Sequence, residues 1–367
     1  MKLILEKAKH QLNLNLPFVV FKKPNNTLIK GVFQKNDTLF LINDLNEKGF
    51  VFASFDGKTT ILIPDSQSEI YSEAYQENRG VMTQNIAFYS SEVDRNDFES
   101  LVARGIEAIK NEEFKKVVLS RKESVDLSDF DVFTAFENLV FLYPSAFTYC
   151  FYHPKVGVWL GASPEQLLKS TPNKFETIAL AGTQKDIDIE TVEWKNKEIE
   201  EQQIVTDYIV NKLNTVAENL VVSKPYSFKA GNLWHIKTDI SGVFQSDFSL
   251  QKTILLLHPT PAVCGLPKEP SKAFILENEN YNRLFYTGFL GELNTENTSG
   301  EPHSDLFVNL RCMEIEYQTE DDFSKKVFLK ANIYVGCGIT KDSIPQKEWQ
   351  ESVNKSMTMK RIIDYKF

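Results

Sequence analysis

The chain has 367 residues, which suits about two domains of ordinary size or one large α+β unit. Hydrophobic residues make up 42% and charged residues 25%, the balance of a globular protein with a sizeable core. The net charge of −9 argues against a nucleic-acid or acidic-membrane partner, so an anionic small molecule would have to be met by local cations.

Cys150, Cys264, Cys312 and Cys337 are far apart and form no CxxC pair, which indicates a reducing compartment, buried thiols and no zinc site. The opening MKLILEKAKHQLNLN breaks its apolar run at Glu6 and Lys7, unlike a signal peptide. No apolar run approaches the ~20 residues of a membrane span, so the expected location is cytoplasmic.

Residues 1–15 are predicted to form an amphipathic helix. Over 16–64 the runs LPFVVF, LIKGVFQ, TLFLI, FVFASF and TTILI, separated by Asn-Asn, Asn-Asp and Asp-Gly, predict an antiparallel meander. The polar stretch from Pro64 to about Arg79 reads as a loop. A helix follows over 94–112, with Phe98, Leu101, Val102, Ile106 and Ile109 on its apolar face. Next come a strand (KKVVLSRKESV), a helix (DVFTAFENLVFLY) and the strands FTYCFYH, VGVWLGA and FETIALAGTQ. The second half predicts a helix near 191–216, a strand (HIKTDISGVF) and a helix (SLQKTILLLH). The strands FYTGFLGEL, DLFVNLRCMEIEY and VFLKANIYVGCGI follow, with a closing helix from about 346. The class is α+β, with residues 1–95 a strand-rich part and 96–367 the region that carries the chemistry, together one integrated unit.

Chemistry-bearing residues cluster on a few of these elements. Glu198, Glu201, Val205, Ile209, Leu213 and Val216 share one face of the 191–216 helix, so Glu198 and Glu201 prolong a core stripe. The closing helix repeats the arrangement with Glu348, Glu351, Lys355, Met359 and Ile362. A solvated helix end produces such acids often, but two pairs in line with core stripes suit one hard cation such as Mg²⁺. In GASPEQLL, Ser163, Pro164 and Gln166 have the spacing of a helix N-cap, an N1 proline and a capping box. Glu165 in that first turn would need burial to overcome the helix dipole before it could serve as a general acid. Lys116 opens an apolar strand, and as a general base it would have to be desolvated or set near other cations. His258 follows an apolar helix as a capping residue would. Gly336-Cys337-Gly338 ends a strand and offers amides to an anion.

In order, KVVLSR, GASPE, LAGT, ExxEQ, HPTPAVCG, RLFYTGFLG, NLR, GCGI and EWQESVNK resemble the chorismate-utilising enzymes, most closely the isochorismate synthases. The likeness runs from about Phe98 to Met359. It implies a sandwich of large, mostly antiparallel sheets with helices outside and a cleft for Mg²⁺ and chorismate. By motif, Lys116 resembles the base that activates water for attack at C2, and Glu165 the acid that protonates the departing C4 hydroxyl. Glu201 and Glu348 resemble metal ligands, with Glu198 and Glu351 beside them. Ala181, Gly182, Thr183, Tyr286, Arg311, Gly336 and Lys355 would hold the substrate carboxylates, and His258 would sit near the ring. Amine-forming relatives resemble one another in having Gln at the Lys116 position. Ala181 lacks the lysine typical of aminodeoxychorismate synthases, and no glutamine amidotransferase partner is expected. Salicylate synthases share Lys116, so they stand as an alternative, as does a non-catalytic chorismate-binding subunit. Menaquinone and siderophore synthesis are equally compatible. Gln202 departs from the family, whose members often carry His there.

Overall fold

Strand runs such as FVVFK and GFVFA are buried at every position, so both of their faces need cover. The structure, a computed structural model, describes residues 1–75, 91–185, 192–230, 233–245, 249–296, 299–319 and 326–364. It supplies that cover by packing two antiparallel sheets face to face with helices outside.

The first sheet runs, in spatial order, Gly265–Leu266, Lys116–Asp126, Lys326–Ile339, Cys312–Thr319, Gly157–Ser163, Phe147–His153, Phe18–Lys22, Leu28–Gln34 and Ser68–Ala74. The second runs Ala217–Val222, Leu233–Phe244, Lys174–Lys185, Gln166–Ser170, Pro302–Val308, Phe289–Glu296, Gly49–Ala53, Thr60–Pro64 and Phe40–Leu41. Tyr226–Ala230 pairs beside Leu233–Phe244.

Aromatic rings fill the space between the sheets. Phe147 stacks on Phe307 at 4.4 Å, Phe52 on Phe285 at 4.3 Å and Trp159 on Tyr334 at 5.3 Å. Alternation along Phe147–His153 sends Phe147, Tyr149 and Phe151 inward and Cys150 and Tyr152 to the opposite face. That outer face is covered by Lys2–Asn13, Val132–Leu142 and the final helix, Pro345–Asp364. Asn196–Leu213 and Leu250–Leu257 cover the second sheet. No described helix is long and apolar enough to cross a membrane.

Four sequence expectations are corrected. The strands of 16–64 do not form one meander: Phe18–Lys22 and Leu28–Gln34 join the first sheet, and Gly49–Ala53 and Thr60–Pro64 join the second. Apolar runs without a wet face belong inside a two-sheet sandwich, which a single sheet cannot provide. The polar stretch after Pro64 is not all loop, because Ser68–Ala74 pairs with Leu28–Gln34 as an edge strand whose solvated side chains hide its alternation; residues 76–79 lie outside the described residues. GASPEQLL forms no helix. Gly157–Ser163 ends in the first sheet, Gln166–Ser170 begins in the second, and Pro164-Glu165 is the crossing between them. Finally, DLFVNLRCMEIEY is not one strand. It breaks at Asn309-Leu310-Arg311 as the chain crosses back, with Arg311 in the left-handed region at φ 47°.

These two crossings lie against each other. Val308 N donates to the Glu165 carbonyl at 3.0 Å, and Ala162 N donates to the Arg311 carbonyl at 2.9 Å. Ser163 Oγ donates to the Val308 carbonyl and accepts from Glu165 N. The capping-box residues therefore serve a turn between sheets.

Candidate active site

A cavity of about 650 Å³, counted to its mouth, opens where the crossings meet. Its wall includes Glu165, Ala181, Gly182, Thr183, Glu201, His235, Tyr286, Arg311, Gly336 and Lys355. Most of the residues singled out from sequence therefore reach one space from separate segments of the chain.

Lys116 begins its strand wholly buried, and its Nζ lies 3.0 Å from Glu201 Oε1. Burial alone would push the Glu201 carboxyl up, but Lys116, with Lys355 and Lys197, holds it below the ordinary carboxylate value. Gly338 makes room for this pair, since a Cβ there would fall 2.1 Å from Glu201 Oε1 and 3.1 Å from Lys116 Cε. Gly338→Ala is expected to lower turnover at least tenfold while the protein stays folded. Steady-state kinetics and circular dichroism would check this, and unchanged turnover would contradict it.

Glu165 is 4% exposed, and burial pushes its pKa up to about 8, with Lys116 and Lys355 only partly offsetting the rise. The expected opposition from a helix dipole does not arise, because no helix starts at Ser163. At neutral pH Glu165 is a protonated acid facing the cavity.

Part of the wall is cationic. Arg311 donates from Nη1 to Thr358 Oγ1 at 3.2 Å, and its Nη2 lies 3.3 Å from His235 Nε2. An arginine only donates, so Nε2 is the acceptor and the ring proton sits on Nδ1, 2.9 Å from the Gly182 carbonyl. Burial, with Arg311 and Lys355 nearby, pushes the His235 pKa down to about 3, which keeps the ring neutral. Lys355 Nζ bonds the Gly336 carbonyl at 2.9 Å and Glu351 at 2.7 Å. Gly182 takes φ 72°, a left-handed step that bulges the Ala181–Thr183 ladder beside His235.

The acids of the two helices divide. Glu348 and Glu351 lie with the Cys337 thiol, their nearest ligand atoms all within 4.8 Å. Lys197 Nζ sits 2.5 Å from Glu348 Oε1. Burial alone would lower the Lys197 pKa, but Glu348, followed by Glu351 and Glu201, holds it above the ordinary lysine value. Glu348 Oε2 is buried without a hydrogen-bond partner, and burial, aided by Glu351, raises the carboxyl's pKa. Hard carboxylate oxygens, one of them orphaned, and a cation already drawn among them fit Mg²⁺. Burial pushes the Cys337 thiol well up, so it is no thiolate ligand.

Lys116, Glu348 and Glu351 stand behind the wall through the contacts above, whereas Glu198 and His258 take other roles. Glu198 accepts from Lys195 N at 3.1 Å, the capping role of a first-turn acid. His258 does not line the cavity. It packs edge-on against Phe289, its pKa lowered to about 3 by burial, and its motif reaches the wall through Ala262 and Val263 instead. Gln202, the departure from His, donates to Thr206 Oγ1 and Thr238 Oγ1 and so ties its helix to the sheet.

Sequence reasoning missed His235 and Lys197. A histidine inside the apolar strand opposite LAGT was the available signal for the first. For the second it was a lysine four residues before Glu201, on the same helix face.

Residues 48–364 match the family model described as chorismate binding enzyme. The chain belongs to that family. It is 28% identical over 286 residues to isochorismate synthase MenF of Pasteurella multocida, covering 75% of this chain and 63% of that one. It is 26% identical over 315 residues to isochorismate synthase EntC of Escherichia coli K12, covering 82% and 76%. It thus spans about three-fifths of the length of the first relative and three-quarters of the second. Anthranilate synthase component 1 chains match at similar identity, one of them from Lactococcus lactis. Among solved structures, a putative 2,3-dihydroxybenzoate-specific isochorismate synthase, DhbC from Bacillus anthracis, superposes with a TM-score of 0.76 at 22% identity, covering 97% of this chain and 99% of that one. The two-sheet sandwich is the fold of these enzymes.

Proposed function

We propose that the protein is an Mg²⁺-dependent isochorismate synthase. The observation that carries this reading is a carboxylic acid on the cavity wall, Glu165, that is protonated at neutral pH, with the buried Lys116 near enough to act on its charge and bonded to Glu201 of the same wall. Exchanging a hydroxyl across an allylic system needs a base for the incoming water and an acid for the departing hydroxyl. Lys116, once it has given up its ion-pair proton and is a neutral amine, takes a proton from water as it attacks C2, the ring double bonds shift, and Glu165 gives its proton to the C4 hydroxyl as it leaves. The reaction is reversible because the two groups end with each other's starting roles.

Arg311 and Lys355 face the substrate carboxylates, with Tyr286 and the backbone at Gly336 and Gly182–Thr183 completing the cradle. Glu201, Glu348 and Glu351 would hold Mg²⁺, which supplies charge neutralisation at a carboxylate of the substrate. Glu198, one turn before Glu201, caps the helix that carries this ligand. Lys116 separates this reading from the amine-forming relatives, and Ala181 separates it from those that use a lysine nucleophile.

The test is conversion of chorismate by purified protein in Mg²⁺. Isochorismate without pyruvate supports the proposal. Salicylate with pyruvate would make the protein a salicylate synthase, and unchanged but bound chorismate would make it a binding subunit. Glu201→Gln and Glu348→Gln should each move the Mg²⁺ concentration for half-maximal rate up at least tenfold; an unchanged titration would remove them as ligands.

A further inference from the structure

Lys197 lies one helical turn before Glu201, and it crosses to the final helix to meet Glu348 at 2.5 Å. We propose that Lys197 is a tethered cation that fills the acid cluster in the metal-free protein and is displaced when a divalent cation enters. The inference rests on reading that cluster as the metal site.

Glu348 is 1% exposed, and a carboxylate buried that deeply is unstable without a compensating charge. Lys197 provides that charge before any metal is present. A Mg²⁺ ion bonded to Glu348 would stand ~2.1 Å from its oxygen. It would then share that carboxylate with the ammonium, two like charges a few ångströms apart in a region of low dielectric. The lysine side chain is 27% exposed and has a flexible four-carbon stem, so it has an outward route, whereas the Glu348 side chain, 1% exposed on a packed helix, has none. Metal affinity is therefore the difference between two cations competing for the same oxygens. The site stays folded when empty and releases its metal more readily than its donor set alone would allow.

The experiment counts Mn²⁺ bound to wild-type protein and to Lys197→Met by electron paramagnetic resonance, without substrate. The variant should bind Mn²⁺ about tenfold more tightly, with a lower Tm than wild type when metal-free and an equal Tm when loaded. Equal or weaker binding by the variant would overturn the displacement alone. Absence of Mn²⁺ binding in both proteins would overturn the metal reading and the inference with it. Should Lys197→Met fail to fold, acylation of wild-type lysines read by mass spectrometry gives an independent answer. Lys197 should be protected without Mg²⁺ and labelled with it, and labelling indifferent to Mg²⁺ would overturn the proposal.

Discussion

Glu165→Gln is expected to lower kcat for chorismate by roughly 10²–10⁴ with little change in substrate affinity, because it removes the proton donor proposed for the leaving hydroxyl. Its pKa near 8 sets the pH dependence. The acid works only while protonated, so wild-type kcat/KM should fall as pH rises through about 8, and Glu165→Gln should lose that limb along with most of its rate. Stability carries the same signature with its own sign. A carboxyl held protonated in the folded protein but ionised in the unfolded chain favours folding fully only below the ordinary carboxylate range, and that contribution drains away up to about pH 8. Glu165→Gln should therefore gain in Tm over wild type at pH 8 relative to pH 5. A wild-type alkaline limb that persists in Glu165→Gln would assign it to another group.

Lys116→Ala is expected to abolish measurable turnover, a loss of at least 10²–10⁴, while chorismate still binds within a few-fold of its wild-type affinity. The carboxylate cradle of Arg311 and Lys355 lies on other elements and does not depend on Lys116. What the change does disturb is Glu201, which loses its 3.0 Å partner. For this reason Mg²⁺ binding should be measured beside turnover. Lost turnover with retained chorismate and Mg²⁺ binding identifies a base; turnover near wild type would remove that assignment.

The fold class and most of the cavity wall were legible in the sequence because they depend on local pattern. Helical stripes placed Glu201, Glu348 and Lys355 on the correct faces, and a strand start placed Lys116. The errors came where the chain changes sheet. Ser163-Pro164-Glu165-Gln166 has the spacing of a helix cap, yet what fixes it is Val308, 145 residues away, and no local rule carries that information. The same blindness joined two strands across Arg311, whose left-handed backbone turns its guanidinium towards His235. These two misread places are the crossings that lie at the cavity. Local preference there gives way to tertiary contacts, and the gain is that an acid and a guanidinium from distant segments face one cavity.

Water attack at C2 with loss of the C4 hydroxyl is the centre of this account, and isotopic oxygen tests it directly. Chorismate converted by the purified protein with Mg²⁺ in H₂¹⁸O should give isochorismate carrying one ¹⁸O, in its C2 hydroxyl, as read by mass spectrometry. Isochorismate formed without ¹⁸O would mean that no solvent water attacks, and Lys116 and Glu165 could not hold the roles given to them.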